Sequence, residues 1–324
     1  MTHAIRIHQH GGPEVLKWEA VEVAAPGVGE VRLRQTAVGL NYIDVYQRTG
    51  FYPNPTPFVL GLEAAGVVEA IGADITQLKV GDRVAYATGP IGAYAQARTM
   101  PADRLVKVPD GISDPQAAAM MLQGMTVEYL LRRTYQVKRG DTLLIHAAAG
   151  GVGLILCQWA KHLGATVIGT VSSDDKAALA RSHGCDHPIV YTREDFHTRV
   201  MEITHGAKVP VVYDSVGRDT FNKSLDCLAP LGVLALFGQA SGPVPPFDLG
   251  VLAQKGSLFV TRPTLFTYTA KRADLEASAN ALFAVVQSGA VKIEVNQTYP
   301  LCEAATAHRD LEARKTTGST VFTV

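Results

Sequence analysis

From Asp141 to about residue 261 the chain alternates short apolar runs with helix-like stretches: "TLLIHA", "GVGLILCQWAKHLG", "ATVIGTV", "SDDKAALARSHG", "HPIVY", "EDFHTRVMEITHG", "VPVVYDSV", "DTFNKSLDCLAP", "GVLALFG" and "SLFVT". Strands that read as near-continuous apolar runs are buried on both faces, and the helices between them supply the crossovers that parallel pairing needs. The region is therefore predicted to be α/β, a doubly wound parallel sheet. Residues 1 to about 112 read differently. There "AIRIHQ", "EVLKWEAVEV", "EVRLRQTAVGL", "AAGVVEAIG" and "DRVAYA" are separated by Gly and Pro, which suits an irregular β-barrel. A long helix follows in "SDPQAAAMMLQGMTVEYLLRRT", where Ser113 and Gln116 fit a capping box. The tail has two helical stretches, "KRADLEASANALFAVVQSG" and "EAATAHRDLEARK", and a closing strand, "STVFTV", which suggests a return to the first domain. The expected division is 1–125 completed by 262–324, and 126–261.

At 324 residues and 47% hydrophobic content, the chain can fill two interiors. Thirty basic and 30 acidic side chains cancel, so no global field holds a phosphate polymer, and nucleic acid is not expected as a main partner. The longest apolar runs fall short of the roughly 20 residues a bilayer span needs, and "MTHAIRIHQHGG" has no apolar core of a signal, so neither membrane nor export is expected. Cys157, Cys185, Cys227 and Cys302 show no CxxC spacing. That points to a reducing compartment, the cytoplasm by default, and to no thiolate zinc site. His8 and His10 would share a face of a strand, but two ligands do not make a metal site, and none is expected.

"HAAAGGVG", residues 146–153, follows a strand and opens a helix, the context in which a glycine-rich turn binds a dinucleotide pyrophosphate. Ala148, Gly150 and Gly153 fill the three slots of G-x-G-x-x-G, and alanine serves at the first provided its φ stays negative. Amides near Gly151 and Val152 would then meet the phosphates at the helix's positive end. The next strand ends in Ser172 and Ser173, with Lys176 a turn later. Hydroxyls and a cation, where an NAD site would carry an acid, favour NADPH. Asp174 and Asp175 argue the other way, although acids in a first helical turn ordinarily complement the dipole, and Lys176 could equally be a solvated helix residue.

With "GLNYIDVYQRTGFYP", "VLGLEAAGVV", "VGDRVAY", "HAAAGGVGLILCQWAK" and "VYDSVGRDTFNKSLDCL", the chain resembles the zinc-free quinone oxidoreductases of the medium-chain dehydrogenase/reductase superfamily, the zeta-crystallin-like group, over nearly its whole length. The resemblance implies a GroES-like irregular β-barrel catalytic domain plus a Rossmann domain, NADPH as cofactor, and reduction of quinones to hydroquinones or semiquinones. Zinc-dependent members of the superfamily carry a cysteine in the segment matching "VGLNY" and a histidine in a "GHE" motif. Here the chain reads Leu40-Asn41 and Gly61-Leu62-Glu63, and leucine cannot ligate. Without a Lewis acid, the suitable acceptor is one whose incoming charge delocalises: a quinone first, conjugated enals or enones second.

By the same resemblance, Asn41 and Tyr46 lie near the nicotinamide and Tyr52 near the substrate mouth. The implied cofactor set extends to Thr126, Tyr129, Tyr191, Ser215, Phe237, Gly238, Ser241, Thr264 and Arg314. If 41–48 is helical, Asn41, Val45 and Arg48 share one face and Tyr42 and Tyr46 a neighbouring one. Tyrosine is a neutral donor at pH 7, and core packing is the competing role for each ring. Arg314 has a second reading, a cation at a helix C-terminus. Asp44 and Glu63 read as structural partners of backbone or of Arg48, and no obligatory proton donor is assigned. The family also implies a homodimer joined through the edge segment "GSLFVT". Some zeta-crystallin-like proteins bind RNA, and "LLRRTYQVKRG" groups Arg132, Arg133, Lys138 and Arg139 with Tyr135; such a run reads more simply as a solvated face.

Overall fold

Short strands of alternating burial fill the first part of the chain: β1 (Thr2–Ile7), β2 (Lys17–Val21), β3 (Glu30–Leu40), β4 (Phe58–Val59), β5 (Ala64–Ile71), β6 (Arg83–Tyr86), β7 (Ala97–Pro101) and β8 (Val106–Lys107). Helix α1 (Tyr42–Thr49) follows β3 and helix α2 (Asp114–Tyr129) follows β8. Next come β9 (Thr142–Ile145), α3 (Gly151–His162), β10 (Thr166–Val171), α4 (Asp174–Ser182), β11 (His187–Val190) and α5 (Phe196–Ile203). They are continued by β12 (Val209–Asp214), α6 (Phe221–Asp226), β13 (Leu228–Leu236), α7 (Gly250–Gln254), β14 (Phe259–Thr261) and α8 (Leu265–Tyr268). The chain closes with α9 (Arg272–Gln287), β15 (Val295–Pro300), α10 (Ala304–Glu312) and β16 (Ser319–Thr323). This computed structural model describes residues 2–324.

Two units result, Met1–Met125 with Thr269–Gln287 and Ile293–Val324, and Thr126–Tyr268 with Ser288–Lys292. The first carries a seven-stranded sheet in the order β15-β16-β3-β5-β6-β8, with β7 also on β3, and a small sheet β2-β1-β4. Its core gathers Ile5, Leu33, Leu60, Tyr94, Met100 and Phe322, all closed to water. β16 runs antiparallel to β3, pairing Thr320 with Leu40 and Phe322 with Val38. Helix α2 starts at the expected capping box: Ser113 N donates to Gln116 Oε1 at 3.0 Å, and Gln116 N to Ser113 Oγ at 3.4 Å.

The second unit is a six-stranded, all-parallel sheet in the order β11-β10-β9-β12-β13-β14. The chain winds outward from β9 to β11, then starts again at β12 beside β9, so the order reverses between those two strands. In open α/β sheets, ligands bind at the carboxyl ends flanking this reversal. Ile145 and Tyr213 face each other there, and both connecting turns of interest begin at that edge.

Several expectations need correcting. β1 stops at Ile7, so His8 and His10 lie in the following bend and share no strand face; His8 pairs with Glu19 at 2.7 Å instead. "EVLKWEAVEV" opens with a 3-10 turn at Pro13–Val15 and is a strand only from Lys17. The chain rejoins the first unit at Thr269 and not at 262, because Tyr268 stacks on Tyr129 at 4.3 Å within the second unit. Residues 288–292 also belong to the second unit, held by Gln158, which exchanges two hydrogen bonds with the Lys292 backbone at 2.8 and 3.0 Å. No helix among the described residues is long and apolar enough to cross a membrane.

Candidate active site

In the second unit, β9 delivers the chain into the turn 146–150. His146 N donates to Tyr213 O and Ala148 N to Thr170 O, both at 3.0 Å, and the left-handed residue is Ala147 (φ +56°), which leaves Ala148 in the ordinary range. The methyl of Ala148 is housed by Gly169 of β10, where a Cβ would approach it to 2.6 Å. Gly153 is required by close approach: its Cβ would lie 2.3 Å from Ala147 O. Helix α3 is capped by Gly150 with no side-chain acceptor, whereas α4 and α5 are capped by Ser173 and Asp195. The first-turn amides of Gly151, Val152 and Gly153 therefore form an uncapped positive end suited to an anion.

Beneath the turn lies a buried polar group that sequence reading missed. His146 bonds Thr170 Oγ1 through Nδ1 and Ser224 Oγ through Nε2, each at 2.9 Å, and burial lowers its pKa. Asp214 accepts from Ser224 Oγ (3.2 Å), Thr220 Oγ1 (2.7 Å), Val216 N (2.8 Å) and Gly217 N (3.0 Å). It thereby fixes the loop that carries Ser215. Phe237 N and Gly238 N donate to Asp214 O at 2.9 and 3.3 Å, and Ser241 Oγ staples Val216 O to Asp219 N at 2.8 and 3.0 Å. Ser215, Phe237, Gly238 and Ser241 are thus brought together after β12 and β13.

Ser172, Ser173, Lys176 and Tyr191 gather at the carboxyl ends of β10 and β11, where Tyr191 N donates to Val171 O at 3.0 Å. Ser173 Oγ accepts from Lys176 N at 3.4 Å, which leaves its hydroxyl hydrogen to donate elsewhere. Asp174 is gripped by Arg193, a residue that no motif or spacing singles out. Thr264 is exposed between β14 and α8. Thr126 and Tyr129 are buried along α2, and Tyr129, stacked on Tyr268, has its pKa pushed up by burial. Arg314 is exposed past the end of α10, near enough to Tyr42 to bear on its ionisation.

In the first unit, Asn41 caps α1. Asn41, Val45 and Arg48 are buried on one face of the helix, and Tyr42 and Tyr46 are half-buried. Tyr46 meets Tyr42, Phe51 and Tyr52 edge-on at 5.3, 5.5 and 5.2 Å, and Tyr52 folds back through Tyr52 N to Tyr46 O at 3.0 Å. Phe51, stacked on Tyr52 and 39% exposed, belongs to this aromatic patch and was overlooked.

Behind the patch runs a sealed hydrogen-bonded chain. Glu63 accepts from Asn41 Nδ2 (2.6 Å) and Leu122 N (2.7 Å), Asn41 Oδ1 from Gln123 Nε2 (3.3 Å), and Gln123 Oε1 from Ser319 Oγ (2.8 Å). Burial pushes Glu63 up to about 8. Asp44 Oδ2 accepts from Asn41 N and Tyr94 Oη, both at 2.9 Å, while Oδ1 meets no donor, and burial raises this carboxyl to about 7. Arg48 partners neither acid. It is 1% exposed, bonds Glu312 through two N–H groups at 2.8 and 2.9 Å, and donates to His308 Nδ1 at 3.0 Å.

The positions that would need metal ligands are occupied by Leu40 and Leu62, both in the core at 3% and 2% exposure. These side chains offer no lone pair, so the site does not fit a catalytic zinc. The basic group near α2 is engaged locally: Arg132 lies 3.7 Å from Glu128, Arg133 donates to Tyr268 O at 2.9 Å and covers its ring, and Tyr135 Oη donates to Asp141 at 3.1 Å. That arrangement matches a structural face better than a base-stacking strip.

Residues 27–110 match the alcohol dehydrogenase GroES-like domain family, and residues 151–279 the zinc-binding dehydrogenase family. A quinone oxidoreductase of Pseudomonas aeruginosa is 56% identical over 323 residues, covering 99% of both chains. A 2-haloacrylate reductase of a Burkholderia species is 49% identical over 333 residues, again covering 99% of both. The crystal structure of Escherichia coli quinone oxidoreductase complexed with NADPH matches with a TM-score of 0.98 at 48% identity, covering 100% of both chains.

Proposed function

Since the chain belongs to the zinc-free quinone oxidoreductases of the medium-chain dehydrogenase/reductase superfamily, we propose that it is an NADPH-dependent quinone reductase working without a metal ion. NADPH, when bound, supplies the hydride. The uncapped amides of Gly151, Val152 and Gly153, after Gly150, hold its pyrophosphate, and Ser172, Ser173 and Lys176 hold its 2′-phosphate with Tyr191 beside the adenosine. Ser215, Phe237, Gly238, Ser241, Thr264, Thr126, Tyr129 and Arg314 complete the assigned coenzyme set. Asn41 and Tyr46 serve the nicotinamide end, and Tyr52 the acceptor. Flat rings with hydroxyl tips give a planar acceptor a stacking surface and a neutral donor for its oxyanion.

The observation that carries this reading is the pair of buried leucines, Leu40 and Leu62, beside that aromatic patch. With no ligand for a Lewis acid, the acceptor must disperse its own developing charge, as a quinone does on the way to an aromatic ring. Asp44 and Glu63 are closed to water, so the proton that completes the hydroquinone comes from solvent. We place the enzyme in the cytoplasm, on the strength of four unpaired thiols, and as a homodimer joined through β14, whose Phe259 is 59% exposed on a sheet edge. The test is NADPH oxidation with 1,4-benzoquinone, with an enal and with 2-haloacrylate, each with and without a chelator. Quinone turnover indifferent to chelation is expected; turnover confined to the other acceptors, or stoichiometric zinc whose removal abolishes the rate, overturns the reading.

A further inference from the structure

The carboxylate that argues against NADPH is not open to a ribose. Asp174 opens α4 directly after Ser173, and both its oxygens are taken by Arg193, with Nη1 2.6 Å from Oδ2 and Nη2 on Oδ1. Arg193 and Asp174 are 57% and 71% exposed, a setting in which an ion pair adds little to stability. Its bidentate geometry therefore calls for another explanation than holding the fold.

The position supplies one. The turn after β11 is stitched to the end of β10, through Tyr191 N to Val171 O at 3.0 Å and Thr192 Oγ1 to Ser172 O at 3.2 Å. The guanidinium thus rises from the same corner as Ser172, Ser173 and Lys176. The neighbouring acid, Glu194, does not compete for it, since Arg199 lies 3.1 Å from one of its oxygens and Val190 N donates to the other at 3.1 Å. An acid near this strand end would ordinarily accept the ribose hydroxyls of NADH and repel a 2′-phosphate. A guanidinium has five N–H donors in one plane, of which Asp174 uses two.

We propose that Arg193 is a coenzyme-specificity residue: it withholds Asp174 from the ribose hydroxyls of NADH and presents its remaining N–H groups to the 2′-phosphate of NADPH. The assignment rests on reading Ser172, Ser173 and Lys176 as the phosphate end of the coenzyme site. Arg193 selects between coenzymes where the three other residues bind, so its signature is a ratio of affinities.

The experiment titrates the full-length protein with NADPH and with NADH, in the absence of any acceptor, following coenzyme fluorescence. R193A is expected to weaken NADPH about tenfold, the loss of a charge-assisted contact, while leaving NADH unchanged or tighter. R193A/D174N recovers part of the NADPH loss, because no bare carboxylate is left behind, and R193K recovers part through charge alone. A loss shared equally by both coenzymes, or an unchanged ratio, overturns the proposal. Normal coenzyme titrations combined with no quinone turnover would overturn the function proposed above, and the ratio would still decide the role of Arg193.

Discussion

Arg48 carries no lone pair on its guanidinium, so His308 Nδ1 must be the acceptor and Nε2 must carry the hydrogen facing Tyr94. Donation then runs one way, from Arg48 through His308 and Tyr94 to Asp44. Burial sets the protonation of this group. Between the ordinary carboxylate range and the values of about 7 for Asp44 and about 8 for Glu63, the folded chain keeps protons that the unfolded chain has released. Stability therefore falls as pH rises through that window. His308, lowered to about 3 by burial and then by Arg48, acts oppositely: below its ordinary 6.5 the unfolded chain binds a proton the folded chain refuses, so acid also destabilises. For Glu63→Gln the amides of Asn41 and Gln123 can turn over together, with Ser319 Oγ donating to Ala119 O at 3.0 Å. We expect a cost within about 1 kcal/mol at pH 5 that shrinks or reverses by pH 8, whereas Glu63→Leu, which orphans Leu122 N and the Asn41 amide, costs about 2–3 kcal/mol more than Glu63→Gln across the range, both costs falling together as the wild-type carboxyl loses stability with rising pH. Thermal melts across that pH range check both. Asn41 was singled out only through the resemblance carried by its local motif, and its partners not at all, since Gln123 lies 82 residues away and Ser319 a further 196, and no periodicity points across such gaps.

The elements read best where burial is two-sided or strictly alternating. β3 coincides with "EVRLRQTAVGL", and the six parallel strands fall inside or across the apolar runs expected to form them. β7 and β8 went unseen because they are short, and β15 because its alternation in "VNQTYP" runs only between half-buried and exposed, with the polar Gln297 on the inner face, so their pairing comes from neighbours and not from their own pattern. The strand, turn and helix around 146–153 were legible despite the alanine, but the compensation was not visible: the room for that methyl comes from Gly169, on another strand. Gly153→Ala has no such room. Forcing a Cβ to 2.3 Å from Ala147 O displaces the turn from the helix, and we expect a loss of about 1–3 kcal/mol in stability, with NADPH weakened about tenfold or more. Calorimetry and coenzyme titration read the two effects separately.

For the molecule as a whole, the order of the two domains was visible in the change from turn-punctuated strands to a strand and helix alternation. The seam at Thr269 was not, because the stack of Tyr268 on Tyr129 joins residues that no local rule relates. The homodimer proposed above is testable at β14: the wild-type chain should sediment at the mass of two copies, and Phe259→Lys, which places a charge on an outward-facing edge position, at the mass of one, with the melting temperature of the monomer little changed. The placement of β16 between β15 and β3 bears on biosynthesis. The N-terminal domain leaves the ribosome first, yet its sheet lacks the strand that covers the Ala37–Leu40 stretch of β3 until Thr323 has been made, while nearly all of the domain that follows it can already close. Translation order and completion order are therefore inverted, and the exposed flank of β3 is the stretch a chaperone has most reason to shield in the nascent chain.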